Sequence, residues 1–386
     1  MLRNQLPNGV HDEFGVTAQL KDQIVNKIQQ YFEQRGFSKV TTPVIEYLDV
    51  FDPYDVGQTK LYKFLAPNGN TVVLRPDLTL PVARVISSTN LNLPIKFYYT
   101  GDLFRINREL SGSQDETTQA GVELIGFSSI KAEQECLVMM IQLASKLQLS
   151  GFQIELGIAR FARQILESLN LERNEVQQIE TALFQKQITT YNELIEPFKQ
   201  QKLYPFLQVW PRLFGPANQV IERLDQYELP SVLQPKINSL KKIVTWLQTD
   251  FKIKNIEIDL SSKAPQDYYT GLTFRAYSDQ SGNYLFSGGR YDHLMAHFQA
   301  DSIPAVGFGI DVDQLTAVQQ SKVQPTQRTY LYFDDRHWQL AEKKLATLSN
   351  VSLCLADDLA TAVEVVKQNN GQLLDLTKED ADGNTN

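Results

Sequence analysis

The chain has 386 residues, 42% hydrophobic and 21% charged, with a formal net charge of −8. That composition is expected of a soluble globular protein with one substantial core plus smaller appendages, and an acidic balance gives no overall basic footprint for a nucleic acid, though a local basic groove stays compatible with it. The two cysteines, Cys136 and Cys354, exclude a disulfide scaffold, offer no metal spacing and read as core residues. The start, Met1 to Pro7, has no apolar signal core, and no run of about 18 apolar residues suits a membrane span, so a cytoplasmic location is expected.

Leu20, Ile24, Ile28, Tyr31 and Phe32 recur at helical spacing, and Gly36 follows as the residue that ends the helix. A strand begins at Phe37–Val40 and leads into Thr41–Glu46, where Pro43 suits an edge or a strand end. Further strands are predicted over Thr71–Arg75, Lys96–Thr100, Gln119–Ile125, Ile256–Leu260, Tyr269–Tyr277, Tyr284–Ser287 and Ala305–Asp311. Residues 131–149 form one amphipathic helix, and from about 159 to 250 nearly everything reads as helix. Too few helices separate the strands for a doubly wound parallel sheet. An antiparallel sheet flanked by helices and interrupted by a helical insertion is an α+β architecture.

After Val323–Gln327 the pattern restarts. Strands at Thr329–Phe333 and Ser352–Leu355 alternate with helices at Trp338–Leu348 and Leu359–Asn369, a small α/β module. The expected organisation is a domain over 1–322, the module over 328–377, and a polar, disordered tail over 378–386.

The stretch Phe104–Arg108, a polar loop, and Gln119–Gly126 read as a hairpin. Strand alternation puts Gln119, Gly121 and Glu123 on one face and Ala120, Val122 and Leu124 on the other. An amide and a carboxylate beside a glycine can hold a small polar ligand, or they can be a solvated strand face. Gly288-Gly289 and Gly307-x-Gly309 complete no phosphate-loop pattern and read as close strand packing. The histidines, His11, His293, His297 and His337, have no metal-ligand spacing, so no metal is expected.

In order along the chain, Pro7–Asp12, Gly36–Pro43, Leu74-Arg75-Pro76-Asp77-Leu78-Thr79, Phe104–Gly126, Asp267-Tyr268-Tyr269-Thr270-Gly271, Ser287–Asp292 and Pro304–Ile310 resemble motifs of the class II aminoacyl-tRNA synthetases, specifically the histidyl-tRNA synthetases. The resemblance covers roughly residues 1–320 and implies the class II synthetase-like fold, with the Gly36–Pro43 region as motif 1, the dimer-forming helix and strand. It also implies that Asp77, Thr79, Gln119, Glu123, Tyr268 and Tyr269 enclose a histidine. Arg105 stands where motif 2 has its first arginine and either meets the substrate carboxylate or forms a structural ion pair; one of the two tyrosines has a packing reading as well.

The phosphate-binding half departs from the synthetase pattern. The loop Ser113–Thr118 carries Asp115 and Glu116 where the synthetases carry arginines and a histidine, although Arg105 and Arg108 remain. Lys263-Ala264-Pro265-Gln266 has no arginine where the histidine-specific one belongs, and Gln314 replaces the motif 3 arginine. Acids and amides in place of phosphate-gripping arginines reverse the local field. A retained histidine pocket, a lost phosphate grip and, where a synthetase continues into an anticodon-binding domain, a module of about 60 residues, small for an independent domain, resemble the ATP phosphoribosyltransferase regulatory subunits, which are synthetase paralogues. That resemblance implies no catalytic residues and no cofactor, and a short-form phosphoribosyltransferase catalytic subunit as partner. It further implies histidine as effector, a homodimer through motif 1 within a hetero-oligomer, and no tRNA. An active histidyl-tRNA synthetase and a free-standing histidine sensor stay open as alternatives.

Overall fold

The structure, a computed structural model, describes residues 3–52, 61–89, 91–107, 114–298, 301–320 and 327–379. Arg108, Ser113, the restart at 323–326 and tail residues 380–386 lie outside the described residues. The chain divides into two compact units, residues 1–321 and 322–386.

The first unit opens with α1 (Gly15–Gln34), whose buried Ile24, Ile28, Tyr31 and Phe32 form one stripe. Gly36 adopts φ +77 just past its end, the left-handed turn for which glycine is suited. Short strands β1 (Ser38–Lys39), β2 (Ile45–Tyr47), β3 (Lys63–Leu65) and β4 (Thr71–Leu74) follow. Helix α2 (Thr79–Ser88) comes next, then the long hairpin β5 (Ile95–Phe104) and β6 (Glu116–Ile125), then α3 (Lys131–Lys146) and β7 (Gln153–Ile158).

The insertion holds α4 (Phe161–Glu167), α5 (Arg173–Phe184), α6 (Ile188–Ile195), α7 (Tyr204–Val209), a short strand β8 (Phe214–Pro216), α8 (Ala217–Leu224) and α9 (Gln234–Thr249). The chain then returns through β9 (Ile256–Asp259), β10 (Leu272–Tyr277), β11 (Phe286–Arg290), β12 (Ala305–Asp311) and α10 (Val312–Gln320).

Among the described residues, one sheet of nine strands runs in the order β1-β5-β6-β12-β11-β10-β7-β9-β8. Its centre is antiparallel, while β1 joins β5 and β7 joins β9 in parallel. Ala120, Val122 and Leu124 face the large core with Ile28, Phe32, Leu137 and Met140. The opposite face, with Phe97, Tyr99, Leu103 and Ile125, belongs to a second core that includes Leu80 and Val82 of α2. The strand alternation read from the sequence therefore separates two cores, and the polar set lies on the α2 side. Inside the insertion Phe161, Phe206 and Trp210 stack edge to face or tilted, and the Trp210 indole donates to the Leu260 carbonyl at 2.7 Å. That bond fixes the insertion to the end of β9.

The second unit is a parallel three-stranded sheet in the order β14-β13-β15, formed by β13 (Thr329–Tyr332), β14 (Val351–Cys354) and β15 (Gln372–Asp375), with α11 (Trp338–Thr347) and α12 (Leu359–Gln368) as connections. Parallel neighbours require such crossovers. Lys378 and Glu379, expected in the tail, are placed in the second unit. Leu376 is fully buried and opens a 3-10 turn through Lys378, capped by the Asp375 carboxylate, and the Glu379 carbonyl sits 3.1 Å from His337 Nε2. Burial of Leu376 holds the two residues that composition assigned to the tail.

Candidate functional site

Glu123 projects from the middle of β6 and is 1% exposed. Thr79 Oγ1 donates to its Oε1 at 2.8 Å and the Tyr99 hydroxyl at 3.2 Å, while the Tyr291 hydroxyl donates to Oε2. Three hydroxyls thus close on one carboxylate in a buried setting. Burial pushes the Glu123 carboxyl up to about 8; the donors from Tyr291 and Thr79 oppose that rise, and the charge of Asp77 adds to it. Tyr99 and Tyr291 are themselves pushed well up by burial and then by the Glu123 charge, so both remain hydroxyl donors.

Asp77 is the second buried carboxylate. Its Oδ1 accepts the Leu80 N–H at 2.8 Å in the first turn of α2, and the Tyr268 hydroxyl approaches Oδ2 at 3.4 Å. Burial raises Asp77 above its ordinary value, countered by the Leu80 N–H and the Arg105 charge. Arg105 at the end of the hairpin donates through Nε to the Pro76 carbonyl at 2.6 Å, which anchors it to the Leu74–Thr79 loop. Its charge also lowers Asp311, which burial nevertheless lifts to about 6.

Glycines make this constellation fit. A Cβ on Gly307 would collide with Glu123 Oε2, one on Gly309 would lie 2.6 Å from Gln119 Nε2, and one on Gly121 would lie 2.5 Å from the Tyr99 hydroxyl. These glycines lie on adjacent strands β6 and β12, where Gly121 pairs with Gly309 and Glu123 with Gly307. Close strand packing, expected for all the Gly pairs, holds for Gly288, whose added Cβ would press on Phe274 and Phe308 at 2.5 Å. Gly307 and Gly309 also make room for side chains, and a Cβ on Gly307 would press on the Val122 carbonyl of the neighbouring strand as well.

The structure brings Asp77, Thr79, Glu123 and Tyr268 into one hydrogen-bonded group. Gln119 lies on the same face four residues along β6 from Glu123, over Gly309. Tyr269 is buried, its ring against Gly289 and 5.1 Å from that of Tyr268. It also lines a neighbouring cleft toward the insertion. Sequence reasoning missed Tyr99 and Tyr291. Tyr291 stood inside a quoted motif, directly after Arg290, and Tyr99 pairs with Gly121 across the hairpin; the register supplied the signal that spacing did not.

On the motif 3 side, the backbone N–H of Gln314 donates to Asp311 Oδ1 at 2.9 Å at the start of α10. Asp115 is engaged structurally: its carboxylate accepts from the Tyr62 hydroxyl at 2.7 Å and from the Asn107 N–H at 2.8 Å, which closes the base of the hairpin loop. Glu116 lines a polar cavity of about 240 Å³ with Asp102, Asp313 and Lys21. An acidic surround of this kind repels a triphosphate.

The family model described as histidyl-tRNA synthetase matches residues 9–315. The ATP phosphoribosyltransferase regulatory subunit of Lactiplantibacillus plantarum is 48% identical over 377 residues, 98% of each chain. The chain belongs to the ATP phosphoribosyltransferase regulatory subunit family. Another regulatory subunit, from Listeria monocytogenes, is 35% identical over 95% of this chain and 94% of its own. Among solved structures, an ATP phosphoribosyltransferase regulatory subunit/histidyl-tRNA synthetase from Bacillus halodurans superposes with a TM-score of 0.83 at 24% identity, covering 97% of this chain and 98% of that one. Histidyl-tRNA synthetase from Nostoc gives 0.73 at 18% identity, covering 96% and 90%. At these identities the two structures show the fold, a class II synthetase-like sheet flanked by helices. In this regulatory-subunit family the match to relatives extends through the small C-terminal module as well as the synthetase-like unit.

Proposed function

We propose that the chain is a non-catalytic regulatory subunit of ATP phosphoribosyltransferase, required for activity of a short catalytic chain and for histidine feedback on the first step of histidine biosynthesis. The observation that carries this reading is the division within one site. The buried Asp77, Thr79 and Glu123, with the partly buried Tyr268 beside them, form a group suited to an ammonium or an imidazole N–H, whereas the phosphate side presents Gln314, Asp311 and Glu116. The names of the near full-length relatives support the same role. Histidine binds in the Asp77–Glu123 site with Gln119, Arg105, Tyr268 and Tyr269 around it, and its preference between conformations of the mixed oligomer is passed to the catalytic partner. Adenylate formation and tRNA binding are lost, and two copies pair through the motif 1 region.

Co-expression with a short-form phosphoribosyltransferase chain tests the proposal. The expected outcome is co-purification, a phosphoribosyltransferase activity absent from either chain alone, and inhibition by histidine. Histidine-dependent ATP–pyrophosphate exchange by the isolated chain would overturn it in favour of a synthetase, and failure to bind the catalytic chain would leave a free-standing sensor.

A further inference from the structure

We propose that the cleft between the helical insertion and the segment bearing the tyrosine pair is a second ligand site, one that takes a small phosphate ester. The cleft encloses about 550 Å³ between α4 and α5 on one side and residues 262–269 on the other, within the roughly 300–1,000 Å³ usual for small-molecule sites. It adjoins the Glu123 group through Tyr269, which lines both, but its charged side chains belong to the cleft alone, and the proposal stands independently of the regulatory reading.

Its charged lining is Arg160, Arg163, Arg173 and Lys263 against Glu180 and Asp267. That is a surplus of cations in a chain whose net charge is −8. Arg163 is held by Glu167 at 3.2 Å and Lys263 by Asp267 at 2.9 Å. Arg160 and Arg173 have no ion-pair partner among the described residues, and both lie on the cleft wall. The field of Arg160 reaches Lys236 as well. Burial first and Arg160 second push that ammonium down, with Asp292 opposing them.

The backbone gives an independent sign. Arg160 sits at φ +59, in the left-handed region that disfavours any residue carrying a Cβ. Glycine or asparagine would make that turn with less strain, so a guanidinium there is an expense in stability that the turn itself does not require. Guanidinium forks match phosphate oxygens in pairs. Phe161, Phe184 and Ile158 line the same cleft as an apolar wall, with Gln177 and Thr181 as neutral hydrogen-bonding groups. Cations beside an apolar wall suit a phosphate joined to a ring, a sugar phosphate or a nucleotide, better than a bare anion.

Calorimetric titration of the full chain with AMP, ribose 5-phosphate and inorganic phosphate tests the site. At least one ester should bind saturably and more tightly than inorganic phosphate; tighter AMP means that the apolar wall holds the base, and tighter ribose 5-phosphate that it holds the sugar. The double variant Arg160→Gly, Arg173→Gln should lose roughly tenfold or more in affinity, whereas Lys241→Gln, away from the cleft, should not. Arg160→Gly alone should melt at the same or a higher temperature than the parent, which separates lost binding from lost folding. No saturable ester binding up to about 1 mM, inorganic phosphate binding as tightly as both esters, or an unchanged affinity in the double variant would overturn the proposal.

Discussion

At Glu123, desolvation outweighs three hydroxyl donors, and this one imbalance sets two measurable properties. The group rises to about 8 and Asp311 to about 6, from ordinary values of 4.5 and 3.8. In both cases the native state binds more protons than the unfolded chain between the two values, so stability falls as pH climbs through that interval. The contribution is complete below the ordinary carboxylate range and lost once pH passes 6 for Asp311 and 8 for Glu123. Thermal unfolding at pH 6 and pH 9 should show a lower melting temperature at the higher pH, and Glu123→Gln should shrink the difference; an unchanged difference would assign it to other groups. Above pH 8, where Glu123 is ionised, the same variant should weaken the proposed histidine binding by about 1.5–3 kcal/mol, the loss expected for one charged hydrogen-bond partner. Equal affinity by calorimetry would move the effector elsewhere, for instance to a subunit interface.

Among the elements, β11 and α3 are joined by a buried pair that fixes the position of Tyr291. Arg290 reaches Glu133 through Nε and Nη2, both at 2.5 Å, and both residues are buried. Removing Glu133 leaves the buried Arg290 guanidinium with the partly exposed Asp292 carboxylate at 3.1 Å in place of a two-pronged buried partner, so Glu133→Ala should destabilise by up to about 3–5 kcal/mol. The double replacement Glu133→Leu, Arg290→Met should recover much of that in urea unfolding; no recovery would mean that the contacts of Arg290 with Phe127 and Asp292 matter more. Legibility also divides by element. Helix α1, β6 and β12 carry clean periodicities, and each formed near its predicted bounds, whereas the first arm of the hairpin, expected over Phe104–Arg108, is β5 (Ile95–Phe104), the strand expected separately over Lys96–Thr100. Strand β7 escaped notice because six residues after a long helix leave too short an alternation to read. Helix α2 is hard to read from sequence because it carries Pro81, yet proline is tolerated in a first turn, where its missing N–H has no partner to lose. Likewise Asp77, Thr79 and Glu123 were legible through motifs, whereas Tyr99 and Tyr291 needed the strand register that only tertiary pairing fixes.

At the scale of the whole molecule, the small sheet β2-β4-β3 leaves Ile45, Tyr47 and Phe64 exposed, although all three are large and apolar. The register places Tyr47, Val72 and Phe64 side by side on one face, and clustered apolar exposure of this kind marks an association surface. On the proposed pairing of two copies, the chain should scatter light as a dimer and Ile45→Asp as a monomer, with a melting curve close to the parent's; a dimer that persists in the variant would place the two-fold elsewhere. The insertion has a further consequence. Strands β7 and β9 lie side by side in parallel, with Ile154 opposite Ile256, so the entire stretch 159–255 must be looped out before a single pair of that ladder can form. The length-dependent entropy of closing such a loop is about 4 kcal/mol if the stretch is still a coil. Helices that condense first around Trp210 and Phe206 shorten the effective loop, so the order of folding is inside out: the segment added to the sheet has to organise itself before the sheet that receives it can be finished.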